Sequence, residues 1–229
     1  MSPSEQSPSE QSPSQSSPFQ SSPSGAPGLL DRVPVVPVVV VDDLAQAVPV
    51  ARALVAGGLP VIELTLRTPV ALDAIRAIAD EVPEILVGAG TILTPGQAKE
   101  ARDAGAQFLV SPGATPALLA GMAETGLPFL PGTATVSEVL AVLEAGWTEM
   151  KFFPAEASGG AAYLSSIASP VPAARFCPTG GITPASAASY LSLPNVGCVG
   201  GSWLTPKDAL AAGDWARVER LASEAAALG

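Results

Sequence analysis

The sequence predicts an α/β protein: a (β/α)8 TIM barrel over residues 28–229, behind a disordered N-terminal tail at residues 1–27. Three observations carry that expectation. Eight short apolar runs, rich in β-branched residues, recur from Val33 onward. Helical Ala/Leu-rich patterns alternate with them, which implies a parallel sheet. The runs are apolar almost throughout instead of alternating, which implies burial on both faces.

The runs are, in order, VPVVPVVVV (33–41), PVIELTL (60–66), EILVGAG (84–90), AQFLVS (106–111), LPFLPG (127–132), EMKFFP (149–154), ARFCPTG (174–180) and VGCVGG (196–201). Between them lie helical patterns such as TPVALDAIRAIADEVP, TPGQAKEARDAG, TPALLAGMAETG, TVSEVLAVLEAG and TPASAASYLSL, and AAYLSSIA supplies one within 156–170. Five helix starts share Thr-Pro, at Thr68, Thr94, Thr115, Thr183 and Thr205. Threonine suits the N-cap, where its hydroxyl accepts from an orphan N–H, and proline suits the next position, where a missing N–H costs nothing. Thr135 and Glu138 have the spacing of a capping box. Glycine closes most of the helices. An open doubly wound sheet also fits the alternation, but no G-x-G-x-x-G follows the first run, and eight units in about 200 residues favour the barrel.

The tail repeats SPSEQ and has one aromatic, Phe19, so it cannot bury enough apolar surface to offset its ordering entropy. It lacks the positive start and apolar core of a signal peptide. No later stretch offers ~18 consecutive apolar residues, so no membrane span is expected. A net charge of −10, without a basic stripe, argues against nucleic acid as a partner. Cys177 and Cys198 lack zinc-site spacing and are expected as buried, reduced thiols in a cytoplasmic protein.

In a barrel of this kind the chemistry sits at the carboxyl ends of the strands. Glu63, Thr65 and Arg67 share one face of the second run at period two. Thr91 ends the third run, Ser111 and Pro112 the fourth, and Lys151 and Phe153 share a face of the sixth. Thr179, Gly180 and Gly181 lie at the end of the seventh, and Gly201 and Ser202 at the end of the eighth. Buried charges are costly unless paired, so Glu63, Arg67 and Lys151 form either a structural network or a functional site. Their place at the carboxyl ends favours the site. A buried neutral amine is a nucleophile toward carbonyl carbon and forms a Schiff base that accepts electrons from a breaking bond. Glu63 could then move protons and Arg67 hold a carboxylate. Lys99 and Lys207 fall in helical, solvent-side patterns. The glycines after the last two runs suit a phosphate cradle built from backbone N–H groups.

Taken together, GGLPVIELTLRT, VGAGTILTP, AGAQFLVSPG, PGTATVSE, KFFPAEASGG, FCPTGGI and GGSWL resemble the 2-keto-3-deoxy-6-phosphogluconate (KDPG) aldolase family over about 33–204. The resemblance implies a class I aldolase with no metal or cofactor, acting on a phosphorylated keto acid as a homotrimer. It implies Lys151 as the Schiff-base lysine and Glu63 as the general acid/base. Arg67 and Thr91 would hold the carboxylate, Pro112 and Phe153 would line the pocket, and Gly180, Gly181, Gly201 and Ser202 would receive the phosphate. It also implies activity on 4-hydroxy-2-oxoglutarate, and Thr179 before the paired glycines resembles the gluconate branch more than the galactonate one. The rival expectations are an imine-free phosphate-binding barrel isomerase or decarboxylase, a metal-dependent aldolase using Asp42, Asp43 or Glu63, and a non-catalytic ligand-binding barrel.

Overall fold

The computed structural model describes residues 28–229, so the expectation for the tail lies outside the described residues. Strands and helices alternate in the predicted order: β1 (Val35–Val39), α1 (Ala47–Ala56), β2 (Val61–Thr65), α2 (Ala71–Glu81), β3 (Leu86–Gly90), α3 (Pro95–Asp103), β4 (Phe108–Val110) and α4 (Pro116–Ala123). There follow β5 (Phe129–Leu130), β6 (Gly132–Thr133), α5 (Val136–Glu144), β7 (Glu149–Phe152), α6 (Gly160–Ala168), β8 (Arg175–Pro178), α7 (Pro184–Leu191) and β9 (Val199–Gly201). The chain ends in α8 (Lys207–Ala212) and α9 (Trp215–Ala226).

Every strand pairing is parallel, in two sheets ordered β5-β4-β3-β2-β1-β9 and β6-β7-β8. The fifth predicted run is broken in two at Pro131, which has no N–H to give a ladder. The break is also a handover. The Leu130 carbonyl accepts from Ser111 N–H of the first sheet, and the Pro131 carbonyl accepts from Lys151 N–H of the second. At the other margin, single parallel bridges join Phe176 to Val196 and Thr179 to Gly200.

The apolar strand residues are buried on both faces, as their unbroken apolar character requires. The face toward the helices is filled by residues such as Phe152 and Phe176, whose rings meet edge-on, and Tyr163 of α6 stacks on Phe152. Gly57 ends α1 where a side chain could not fit, since a Cβ there would lie 2.4 Å from Ala222 of α9. The sequence reading did not name α9. Its signal was Asp214, whose carboxylate caps it by accepting from Arg217 N–H at 3.1 Å.

Three of the five Thr-Pro starts behave as predicted. Thr94, Thr115 and Thr183 each accept from the N–H three residues on, with proline just inside the helix, a cap worth ~1 kcal/mol. Thr135 and Glu138 form the expected reciprocal box. Thr68 and Thr205 do not cap. The Thr68 hydroxyl instead donates to the Val41 carbonyl at 2.8 Å, tying the end of β2 to that of β1, and α2 begins only at Ala71. Thr205 is buried and α8 begins at Lys207. At the opposite end of the sheets, Arg175 binds Asp31 and Glu149. The guanidinium hydrogen bond holds the Asp31 carboxyl below its usual range, while burial pushes that of Glu149 up.

Candidate active site

The site is built around the inner face of β3. Its residues at that face are Gly88 and Gly90, which have no side chains, and the neighbouring strands fill the space. A Cβ on Gly88 would lie 2.2 Å from the Phe108 ring, and one on Gly90 would lie 2.1 Å from Glu63 Oε1. Glu63 is in register with Gly88, so its carboxylate leans two residues along the strand, toward the carboxyl end. Sequence reasoning missed Gly90, although the GAG triplet in a strand was a signal of close approach.

From β7, Lys151 reaches across to the same point. Its Nζ donates to Glu63 Oε1 at 3.2 Å, and the two side chains are 4% and 3% exposed. Lys151 Nζ also stands 5.4 Å from the centre of the Phe153 ring, so the two residues share a face as their spacing predicts. Thr133 of β6 fixes the strand beneath, its hydroxyl donating to the Lys151 carbonyl at 3.3 Å. A buried ion pair with so few other partners is a poor stabilising device. It is a good way to keep an amine next to a proton acceptor.

Arg67 corrects the expected trio. Period-two spacing places it inward with Glu63 and Lys151, but the ladder ends at Thr65 and the chain turns, with Arg67 N–H donating to the Thr65 carbonyl at 2.8 Å. Arg67 is therefore exposed at the rim, where its Nε donates to Thr91 Oγ1 at 3.1 Å. Thr91 adopts φ +61°, the left-handed region that a β-branched residue rarely takes. Such strain costs ~1–3 kcal/mol and marks places where a side chain must be aimed. Here it turns the hydroxyl toward the guanidinium. Pro112 is half-buried, packed so closely on β6 that a Cβ on Gly132 would lie 2.2 Å from its carbonyl carbon.

The glycine segments lie at the carboxyl ends of β8 and β9. Gly180 and Gly181 have φ +104° and +82°, and a Cβ on Gly200 would lie 2.2 Å from the Thr179 hydroxyl. Gly201 is covered by the Trp203 ring, and Ser202 is exposed. The N–H groups of Gly180, Gly181, Ile182, Ser202 and Trp203 are given to no acceptor among the described residues. Unspent donors at positive-φ glycines before a helix make a ready anion cradle.

Other predicted features fall away from this centre. Lys99 pairs with Glu124 at 3.1 Å on the surface, and Lys207 is exposed. Asp42 and Asp43 are exposed, and Asp43 is spent on accepting from Ala45 N–H. Among the described residues no group of three or more His, Cys, Asp or Glu is placed to hold a metal ion, and no helix is long and apolar enough to cross a membrane. Cys177 and Cys198 are buried and free, and the neighbouring Cys177 thiol, with burial, pushes the Cys198 thiol well up.

A parallel α/β fold that buries an amine against a carboxylate, with anion donors at the ends of the next strands β8 and β9, defines an enzyme of the lysine-dependent kind. The chain belongs to the KDPG and KHG aldolase family, whose model it matches over residues 28–221. It is 56% identical over 202 residues to the KHG/KDPG aldolase of Escherichia coli K12, covering 88% of this chain and 95% of that one. Among solved structures it resembles the KDPG aldolase of Legionella pneumophila, captured with pyruvate as a covalent carbinolamine intermediate (TM-score 0.84, 44% identity, 86% of this chain and 96% of that chain). It also resembles the enzyme of Zymomonas mobilis ZM4 with 3-phosphoglycerate (TM-score 0.82, 48% identity, 87% of this chain and 94% of that chain).

Proposed function

We propose that this protein is a class I aldolase that cleaves 2-keto-3-deoxy-6-phosphogluconate to pyruvate and glyceraldehyde 3-phosphate, and cleaves 4-hydroxy-2-oxoglutarate as well. The observation that carries the reading is the buried Lys151–Glu63 contact. The Lys151 amine adds to the C2 ketone, and loss of water gives the protonated imine. Glu63 takes the proton of the C4 hydroxyl as the C3–C4 bond breaks, and its electron pair passes into the imine to leave an enamine. The aldehyde departs. The enamine takes a proton at C3 from Glu63, and water releases pyruvate and the free amine. Arg67 and Thr91 hold the keto-acid carboxylate, Pro112 and Phe153 wall the pocket, and Thr179 to Gly181 with Gly201 and Ser202 receive the phosphate.

We further propose that residues 28–229 form one catalytic domain and that the two sheets close into a (β/α)8 barrel. The handover at Pro131 and the Thr179–Gly200 bridge support closure, since they lie at the two margins where the sheets would join. A cytoplasmic homotrimer is the working state that the family resemblance favours.

Incubation with pyruvate and sodium borohydride, in the presence of a chelator, tests the chemistry. Intact mass should rise by one reduced pyruvyl group, and a peptide map should place it on Lys151. Folded protein that takes up no label would overturn the imine mechanism. A second variant tests the geometry. Gly90→Ala puts a methyl 2.1 Å from Glu63 Oε1, so the carboxylate must move by about an ångström. The expected result is a loss of about 10²-fold in kcat/KM, read by coupling pyruvate release to lactate dehydrogenase.

A further inference from the structure

We infer that Glu156 and Tyr190 are positioning residues that hold the Gly180–Gly181 turn in its phosphate-receiving shape. The inference rests on the aldolase reading for the identity of the phosphate, but not for the geometry. A turn of two positive-φ glycines with unspent N–H groups has little of its own to keep it in place, because glycine gives up more freedom on ordering than any other residue. Something outside the turn must fix it.

Glu156, in the short helical turn after β7, touches it at two points and is itself held at a third. Its N–H donates to the Gly180 carbonyl at 3.0 Å, just as the N–H of Ala155 donates to the Thr179 carbonyl at 2.8 Å. Its methylene stem packs on Gly181, where a Cβ would lie 2.7 Å from Cγ and 2.8 Å from Cβ of Glu156. Its carboxylate is held in turn by Tyr190, whose hydroxyl donates to Oε1 at 2.8 Å. Tyr190 is 1% exposed and sits in α7, the helix that the glycine turn opens into. The contacts form a closed ring: turn, Glu156, Tyr190, α7 and back to the turn.

The ring also answers an electrostatic difficulty. A carboxylate beside a phosphate cradle would repel the ligand. Here the apolar stem faces Gly181, and the charged end is drawn toward Tyr190 and Gly160, where a Cβ would lie 3.3 Å from the phenol oxygen and 3.7 Å from Oε2. Burial and the neighbouring Glu156 raise the Tyr190 pKa, so the phenol stays a donor at any working pH. Glycine at 160 leaves room for the pair.

The test compares wild type with Tyr190→Phe, Glu156→Ala and Glu156→Gln. With the phosphorylated hexonate, Tyr190→Phe and Glu156→Ala should raise KM by about tenfold with kcat within about twofold, the size expected for a lost hydrogen bond to a charged group. With 4-hydroxy-2-oxoglutarate, which has no phosphate, kcat/KM should stay within about twofold. Glu156→Gln keeps the stem and an acceptor for the phenol, and should restore most of the loss. Calorimetric titration with inorganic phosphate should show Kd rising by the same factor in the two damaging variants. An unchanged phosphate Kd in both, or equal losses on both substrates, overturns the inference. Should Glu156→Ala fail to fold, Tyr190→Phe, smaller by one oxygen, decides alone. A phosphate Kd that shifts in a protein that cleaves neither substrate upholds the positioning role and sinks the aldolase reading.

Discussion

Lys151→Met should lower kcat by about 10⁴-fold or more, because among the described residues no other amine reaches the buried centre and the imine route is lost outright. Lys99 and Lys207 are on the surface and cannot substitute. Borohydride with pyruvate should leave the variant unlabelled. The same change should also destabilise the fold. Glu63 is 3% exposed at its side chain and accepts a hydrogen bond from Lys151 Nζ, and removing one member of a buried pair costs about 3–5 kcal/mol. Lys151→Met with Glu63→Leu should recover most of that in denaturant melts while staying inactive, since a matched apolar pair leaves no buried charge. A double variant no more stable than the single would show that Glu63 finds other partners, and a single variant that still turns over would place the nucleophile elsewhere.

Glu63→Gln should lower kcat by about 10²–10⁴-fold, the usual worth of a positioned general acid/base. The amide nearly matches the carboxylate in shape and still accepts from Lys151, so the melting temperature should change little. The two roles separate in the label. Lys151 should still be trapped with pyruvate on long incubation, since the amine is intact. Exchange of the pyruvate methyl protons with solvent deuterium, followed by NMR, should slow together with cleavage, because one group handles both protons. Normal exchange in a cleavage-defective Glu63→Gln would assign the methyl proton to a different residue.

The elements of the fold were legible because their signals are local. Apolar runs set the strands, and Thr94, Thr115, Thr135 and Thr183 set helix starts that the structure bears out. The failures come where a partner distant in sequence competes for the same atoms. Thr68 has the capping sequence, but the Val41 carbonyl of the neighbouring strand end takes its hydroxyl. Pro131 splits the fifth run because its two neighbours belong to different sheets. Arg67 was assigned inward by extending a period of two beyond Thr65, where the strand stops.

Lys151 and Glu63 were both legible as charged residues at strand ends, yet they are 88 positions apart, and nothing local sets the 3.2 Å between them. Strand register does: Glu63 opposite Gly88, with Gly90 bare beyond it, and Lys151 opposite Gly132. Glu156 was within a quoted motif and went unassigned, because its meaning depends on Tyr190, 34 residues on. By itself, then, the sequence determined the alternation of elements and the residue types offered at the strand ends, since period, capping and backbone preference act over a few residues. The tertiary structure alone decided which of those side chains meet, which stop short at the rim, and which hold another in place. Those distances depend on the register and packing of strands far apart in the chain.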